Sequence, residues 1–209
     1  GMPEEHEGYA AVLRALHPRG EPRPSAGLIA QLLEEDGASR PGFHARIVAG
    51  PLARAGLIRM RGDGPFYEQT LEPADCLWPA LHGLDMWPPW IAVLRHDAVR
   101  AGLHEWLADD LVNEAVGAIA DGAACTVLVT AESAEVAFHR GMALTAAGGA
   151  QPVGVLAPAA ANPEFELLVG AHAAARGLLP VVEIAEPEGA GMPRVPAFET
   201  HPGPVVICG

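Results

Sequence analysis

The chain has 209 residues, half of them apolar, and a formal net charge of -13. That length and apolar content suit one large or two small domains with real cores and exclude a disordered polymer. The longest apolar runs, such as Ala123 to Thr130, are far too short to span a bilayer, and no signal pattern follows Gly1-Met2, so a cytoplasmic protein with no membrane partner is expected.

All 13 basic residues are arginine. The absence of lysine excludes Schiff-base chemistry and a phosphate-loop lysine within this segment. Cys76, Cys125 and Cys208 are odd in number and far apart, which fits neither a disulfide framework nor paired zinc ligands and predicts buried free thiols. A uniformly acidic surface repels nucleic acid, so DNA binding requires a local exception.

The spacing of Val12, Leu13 and Leu16 predicts a helix over Glu4 to Leu16, ended by Pro18, Pro22 and Pro24. Ser25 caps a second predicted helix with Leu28, Ile29, Leu32 and Leu33 on one face, stopped at Asp36-Gly37. Ser39 caps a third, which carries Phe43, Ile47, Leu52 and Ala55, breaks at Gly50-Pro51 and closes at Gly56. Leu57 to Arg61 and Pro65 to Gln69 read as two strands around the turn Gly62-Asp63-Gly64. Three helices and a hairpin give a winged-helix domain over residues 1–72.

Residues 73–96 read as a connector rich in tryptophan and proline, whose aromatics are expected to hold the two domains together. Residues 97–209 form the second predicted domain. Asp97 caps a helix through Leu107 and another runs to about Ala120. Cys125 to Thr130 reads as a fully buried strand, followed by a helix to about Ala147 and a strand at Pro152 to Ala157. Asn162 or Pro163 opens a helix through Arg176 that Gly177 ends, and strands follow at Pro180 to Ile184 and Pro204 to Cys208, after a loop from Glu186 to Pro202. Alternation of strand and helix predicts an α/β fold with a parallel sheet of P-loop-like, three-layer layout. Ending on a strand at Gly209 reads as a truncated domain.

Ligands of open parallel sheets bind beyond the carboxyl ends of the strands, which directs attention to Thr130–Ala137. Set against GxxxxGK[ST], Thr130 and Glu135 replace the glycines, Val136 the lysine and Ala137 the hydroxyl, while Glu132 and Glu135 add negative charge. Glu183 stands where a magnesium-binding acid is usual, but Ile184 follows it. No catalytic residue and no cofactor is therefore expected in this segment. Ser133 lacks the flanking glycines of a nucleophile elbow, and His82, His96 and His104 lack ligand spacing, so no metal site is expected.

Three strings carry a family resemblance: Gly50-Pro-Leu-Ala-Arg-Ala-Gly-Leu-Ile58, Pro65-Phe-Tyr-Glu-Gln-Thr-Leu71 and Leu81-His-Gly-Leu-Asp85. They resemble the N-terminal region of bacterial AAA-family ATPases, in which a winged helix and a degenerate nucleotide-binding module precede an active ATPase domain. The resemblance implies an ATP-driven remodelling machine in the full-length protein, with ATP and magnesium bound beyond Gly209. The segment itself then regulates or recruits, with another protein or the ATPase domain of the same chain as partner. Arg40, His44, Arg46, Arg54, Arg59 and Arg61 form a basic stretch without acidic residues, suited to a protein partner or to DNA phosphates, DNA being the less favoured. The alternative reading is a winged-helix transcription regulator with a nucleotide-fold sensor domain.

Overall fold

The computed structural model describes residues 6–33, 40–94, 103–160, 162–184 and 195–209. The chain divides into two units, Gly1–Trp78 and Pro79–Gly209. The proposed stops and caps at Asp36-Gly37, Ser39 and Asp97, the residue His96 and most of the loop after Glu186 lie outside the described residues. Among the described residues no helix is long and apolar enough to cross a membrane.

The first unit holds α1 (Glu7–Leu16), α2 (Ala26–Leu33), α3 (Arg40–Ala49), α4 (Pro51–Arg54), β1 (Ile58–Arg61) and β2 (Thr70–Pro73). Ser25 caps α2, its Oγ accepting from Leu28 N–H at 3.2 Å. The α3–α4 break falls at Gly50-Pro51, and Gly50 sits so close to the Arg46 carbonyl that a Cβ there would strike it. Ala26, Ala30, Phe43 and Leu71 form the core beneath β1 and β2, with Ile29, Ile47, Ile58 and Met60 packed on it. The strands pair antiparallel with Arg59 opposite Glu72 and Met60 opposite Leu71, and Ser25 adds an isolated bridge to Thr70. The second strand thus differs from the expected Pro65 to Gln69. Pro65 opens a short 3-10 helix, Phe66–Glu68, and the Gln69 side chain donates back to the Gly64 carbonyl at 2.8 Å. The loop closes on itself, and ladder pairing starts at Thr70.

In the second unit, α5 (Leu77–Leu81, begun in the first unit) and β3 (Val93–Leu94) lie within the segment read as a connector. There follow α6 (Leu103–Leu107), α7 (Asp110–Ala120), β4 (Thr126–Val129), α8 (Ala134–Ala147), β5 (Gln151–Ala157), α9 (Pro163–Arg176), β6 (Leu178–Ile184) and β7 (Val205–Cys208). The sheet order is β3-β5-β6-β7-β4. The four predicted strands are parallel, and the first of them sits beside the fourth, not the second. The sheet is mixed rather than purely parallel, since β3 joins β5 antiparallel at the far edge. The crossovers β4–α8–β5 and β5–α9–β6 run in opposite directions across the sheet, so right-handed connections place α8 and α9 on opposite faces.

Both helices stop where expected, at Ala147 and Arg176. Asn162 Oδ1 accepts from Glu164 N–H at 3.1 Å and Phe165 N–H at 3.3 Å. Gly177 closes α9 at φ 64° in the left-handed region that favours glycine. The expectation of a fully buried first strand is corrected. β4 is an edge strand paired only with β7 among the described strands, and Leu128 is 57 % exposed. Its alternate residues Val127 and Val129 face the α8 core, as a half-covered edge requires.

That core joins Val129, Phe138, Leu144, Val181, Val206 and Cys208. Gly141 on α8 lies so close to β7 that a Cβ would collide with Cys208 Sγ and approach Val181 and Val206 Cγ1 at 3.1 Å. Gly141→Ala gains helix propensity but forces a methyl into rigid strand side chains, and overpacking costs about 1–3 kcal/mol. The expected outcome in urea denaturation is a net loss of stability; unchanged stability contradicts this packing.

Candidate functional site

The turn after β4 occupies the carboxyl end of the sheet. Ser133 caps α8, its Oγ accepting from Val136 N–H at 3.3 Å, while its carbonyl accepts from Ala137 N–H at 3.0 Å. The hydroxyl considered as a nucleophile is therefore a helix cap. The first turn also carries Glu135, and its N-terminal amides are partly answered by the protein itself. Thr130, Glu132 and Glu135 are exposed, Val136 is half-buried and Ala137 is buried. Glu132 pairs at 3.9 Å with Arg140, whose guanidinium lies 5.5 Å from the Trp106 ring centroid.

The sheet register brings the second acidic position into the same place. Cys208 stands opposite Val129 on one side and Glu183 on the other, so the three form one row across the sheet. Glu183 follows Val181 by two residues and shares its face, towards α8. Burial, then the Glu135 carboxylate, push the Glu183 carboxyl above the usual range, against a smaller opposite effect of His139. His139 donates from Nδ1 to the Glu135 carbonyl at 2.5 Å, which fixes its tautomer. Burial and the neighbouring Glu183 push the Cys208 thiol up to about 12, so it stays protonated and unreactive. All three cysteines are free, but only Cys208 is buried; Cys76 and Cys125 are half-buried. Among the described residues no group of three or more His, Cys, Asp or Glu is placed to hold a metal ion.

The arginine stretch changes character once β2 is in place. Arg61 pairs with Glu72 at 2.9 Å and with Asp75 at 3.2 Å, Arg59 pairs with Asp75 at 3.6 Å, and Arg23 also reaches Glu72. Glu72 is only 13 % exposed at its side chain, so its pairs are less screened than those of Asp75, which is 42 % exposed. His44, Arg46 and Arg54 are exposed, and the His44 ring lies 4.1 Å from Phe66, centroid to centroid. The side chain of Arg40 lies outside the described residues.

Two polar clusters escaped the sequence reading. His17 accepts from Arg19 N–H at Nδ1, so Nε2 carries the proton and donates to Thr70 Oγ1 at 3.3 Å, and Thr70 in turn donates to Glu21. Each link of the His17–Thr70–Glu21 relay has a donor and an acceptor, which is the condition for burying it. In the second unit Trp87 stacks on the buried His172 at 4.9 Å, and Arg176 lies over Trp87 while pairing with Asp85 at 3.0 Å and donating to the Met86 carbonyl. His172 and Arg176 lie one helical turn apart on α9, a spacing visible in sequence; their meeting with Trp87 is not.

The Glu183 environment gives a signed pH test. Its carboxyl titrates near 4.5 when unperturbed and higher in the folded chain, so ionisation opposes folding. Below the unfolded value both states are protonated and the effect vanishes; as pH rises through the folded value it reaches its full size. Glu183→Gln is therefore expected to match the parent protein's thermal stability under acid conditions and exceed it at neutral pH. A variant less stable than the parent at pH 7 contradicts the assigned environment.

No family model matches this chain, and comparisons with curated proteins and with solved structures find no match either.

Proposed function

We propose that this chain is a non-catalytic regulatory or partner-recruiting segment of an AAA-type ATPase, with a winged-helix first unit and a degenerate nucleotide-binding second unit. The observation that carries this reading is the parallel order β4-β7-β6-β5 with Glu183 set beneath the first turns of α8. That arrangement supplies the framework of a phosphate site, while the residues that would hold phosphate are replaced by Glu132, a self-capping Ser133, Glu135 and Val136. In the first unit, α1 to α3, the β1–β2 hairpin and the Ser25–Thr70 bridge support the winged-helix reading. The full-length protein would bind ATP and magnesium outside these residues, and this segment would present His44, Arg46 and Arg54 to a protein partner or to the ATPase domain.

Desolvating a triphosphate beside two carboxylates without a countercharge is unfavourable by several kcal/mol, roughly. Calorimetry with ATP and magnesium is expected to give no binding tighter than about 1 mM. Micromolar affinity would overturn the reading of the turn.

The transcription-regulator alternative requires the arginine face to meet phosphates, and the ion pairs of Arg59 and Arg61 with Glu72 and Asp75 weigh against it. Fluorescence titration at low salt with random duplex DNA is expected to give no micromolar complex. Tight binding that weakens with salt at a slope of about -0.9 per phosphate, and flattens by about two in Arg46→Ala/Arg54→Ala, would favour the regulator instead.

A further inference from the structure

A second concavity lies at the opposite end of the sheet from the degenerate turn, where the parallel strands begin. Its volume is about 270 Å³, near the lower end of ligand pockets. Ile119, Ala150, Leu178, Leu179, Pro202 and Pro204 contribute to its wall, and glycines complete it. His201 is the one polar side chain among the residues that line it.

His201 is 9 % exposed. Nδ1 is buried against Gly170 of α9, where the Gly170 backbone favours a proton on the ring although no acceptor reaches hydrogen-bond geometry. Nε2 lies on the other side, 3.3 Å from where a Cβ on Gly203 would stand, and Gly203 itself lines the pocket. Burial lowers the ring's affinity for a second proton, outweighing the Gly170 backbone. Among the described residues Nδ1 is buried without a partner and Nε2 is not, so Nε2 is the atom a ligand can meet, as an acceptor when the proton sits on Nδ1. Two helices also end here: Gly122 follows the last turn of α7, and Gly177 closes α9. Helix C-termini carry partial negative charge, so they repel an anion and favour a donor.

We infer that this pocket binds a small, neutral, apolar molecule with a single hydrogen-bond donor, such as a phenol or an indole, the donor meeting His201 Nε2. The apolar wall takes the ring by burial, the imidazole selects the hydroxyl or N–H, and the helix ends exclude carboxylates. The site shares no residue with the turn after β4, so it stands apart from the proposed ATPase role.

Titration of the 209-residue chain with phenol, indole, toluene and benzoate, followed by amide chemical shifts, tests this. Saturable shifts at Gly122, Gly177 and Gly203 are expected, with a phenol Kd on the order of 0.1–1 mM. Toluene should bind about 3–10-fold more weakly, as loss of one neutral hydrogen bond implies, and benzoate more weakly still. His201→Phe keeps an aromatic ring but removes the acceptor, and should bring phenol down to toluene. Ala174→Leu on α9, at the pocket's exposed rim, should weaken every ligand without touching the histidine, and it decides the question if His201→Phe does not fold. Equal affinity for phenol and toluene, preference for benzoate, absence of saturable shifts up to about 10 mM, or shifts indifferent to Ala174→Leu would each overturn the proposal.

Discussion

The second unit is organised by the close seating of α8 on the sheet. Gly141 meets Cys208 on β7, and Phe138 fills the space that a side chain on Gly154 of β5 would need. Helix and sheet thus approach within backbone distance at one point and interlock at another. This contact spans four strands, because β4 and β5, which α8 connects, lie at separated positions with β6 and β7 between them. A helix crossing so many strands is fixed in direction as well as in depth. Its N-terminus is held over the end of β4, and Glu135 and His139 are turned towards Glu183. The acidity of that end and the inertness of Cys208 both follow from this seating.

Electrostatics in the first unit works through pairing rather than through a field. The stretch from Arg40 to Arg61 contains no acid, yet β2 and the turn after it deliver Glu72 and Asp75 to Arg59 and Arg61. The register that places Met60 in the core beside Leu71 also sets Arg59 opposite Glu72. A basic run therefore becomes a nearly neutral ladder on one side of the hairpin. The buried chain from His17 through Thr70 to Glu21 obeys the same rule, each donor finding an acceptor.

The two ends of the parallel sheet differ in chemistry. The carboxyl end carries carboxylates and a helix start capped by its own serine, a poor setting for phosphate. The opposite end carries an apolar hollow, two helix C-termini and one imidazole. Strand ends with free amides and helix N-termini attract anions, while helix C-termini attract donors. The polarity of the fold and the residues at each end thus act together at the second site and against each other at the first.

Local signals in the sequence determined much of this protein. Caps at Ser25 and Asn162, the break at Gly50-Pro51 and the stop at Gly177 are short-range chemistry, readable wherever a side chain answers its own neighbouring backbone, whereas Ser133 read only as a rejected nucleophile. The parallel strands were legible as apolar runs, and the mismatch to a phosphate-loop pattern was legible position by position from Thr130 to Ala137. Only tertiary structure decided which strand lies at an edge, so the apolar run at β4 gave no warning that Leu128 is exposed. Short β3 carried too little pattern to announce its antiparallel place. The pairing of Arg61 with Glu72, the stack of Trp87 on His172 and the placing of His201 near Ile119 and Leu178 all join residues distant in sequence. Such contacts are set by register and by the packing of whole elements, and neither is encoded in the spacing of neighbouring residues.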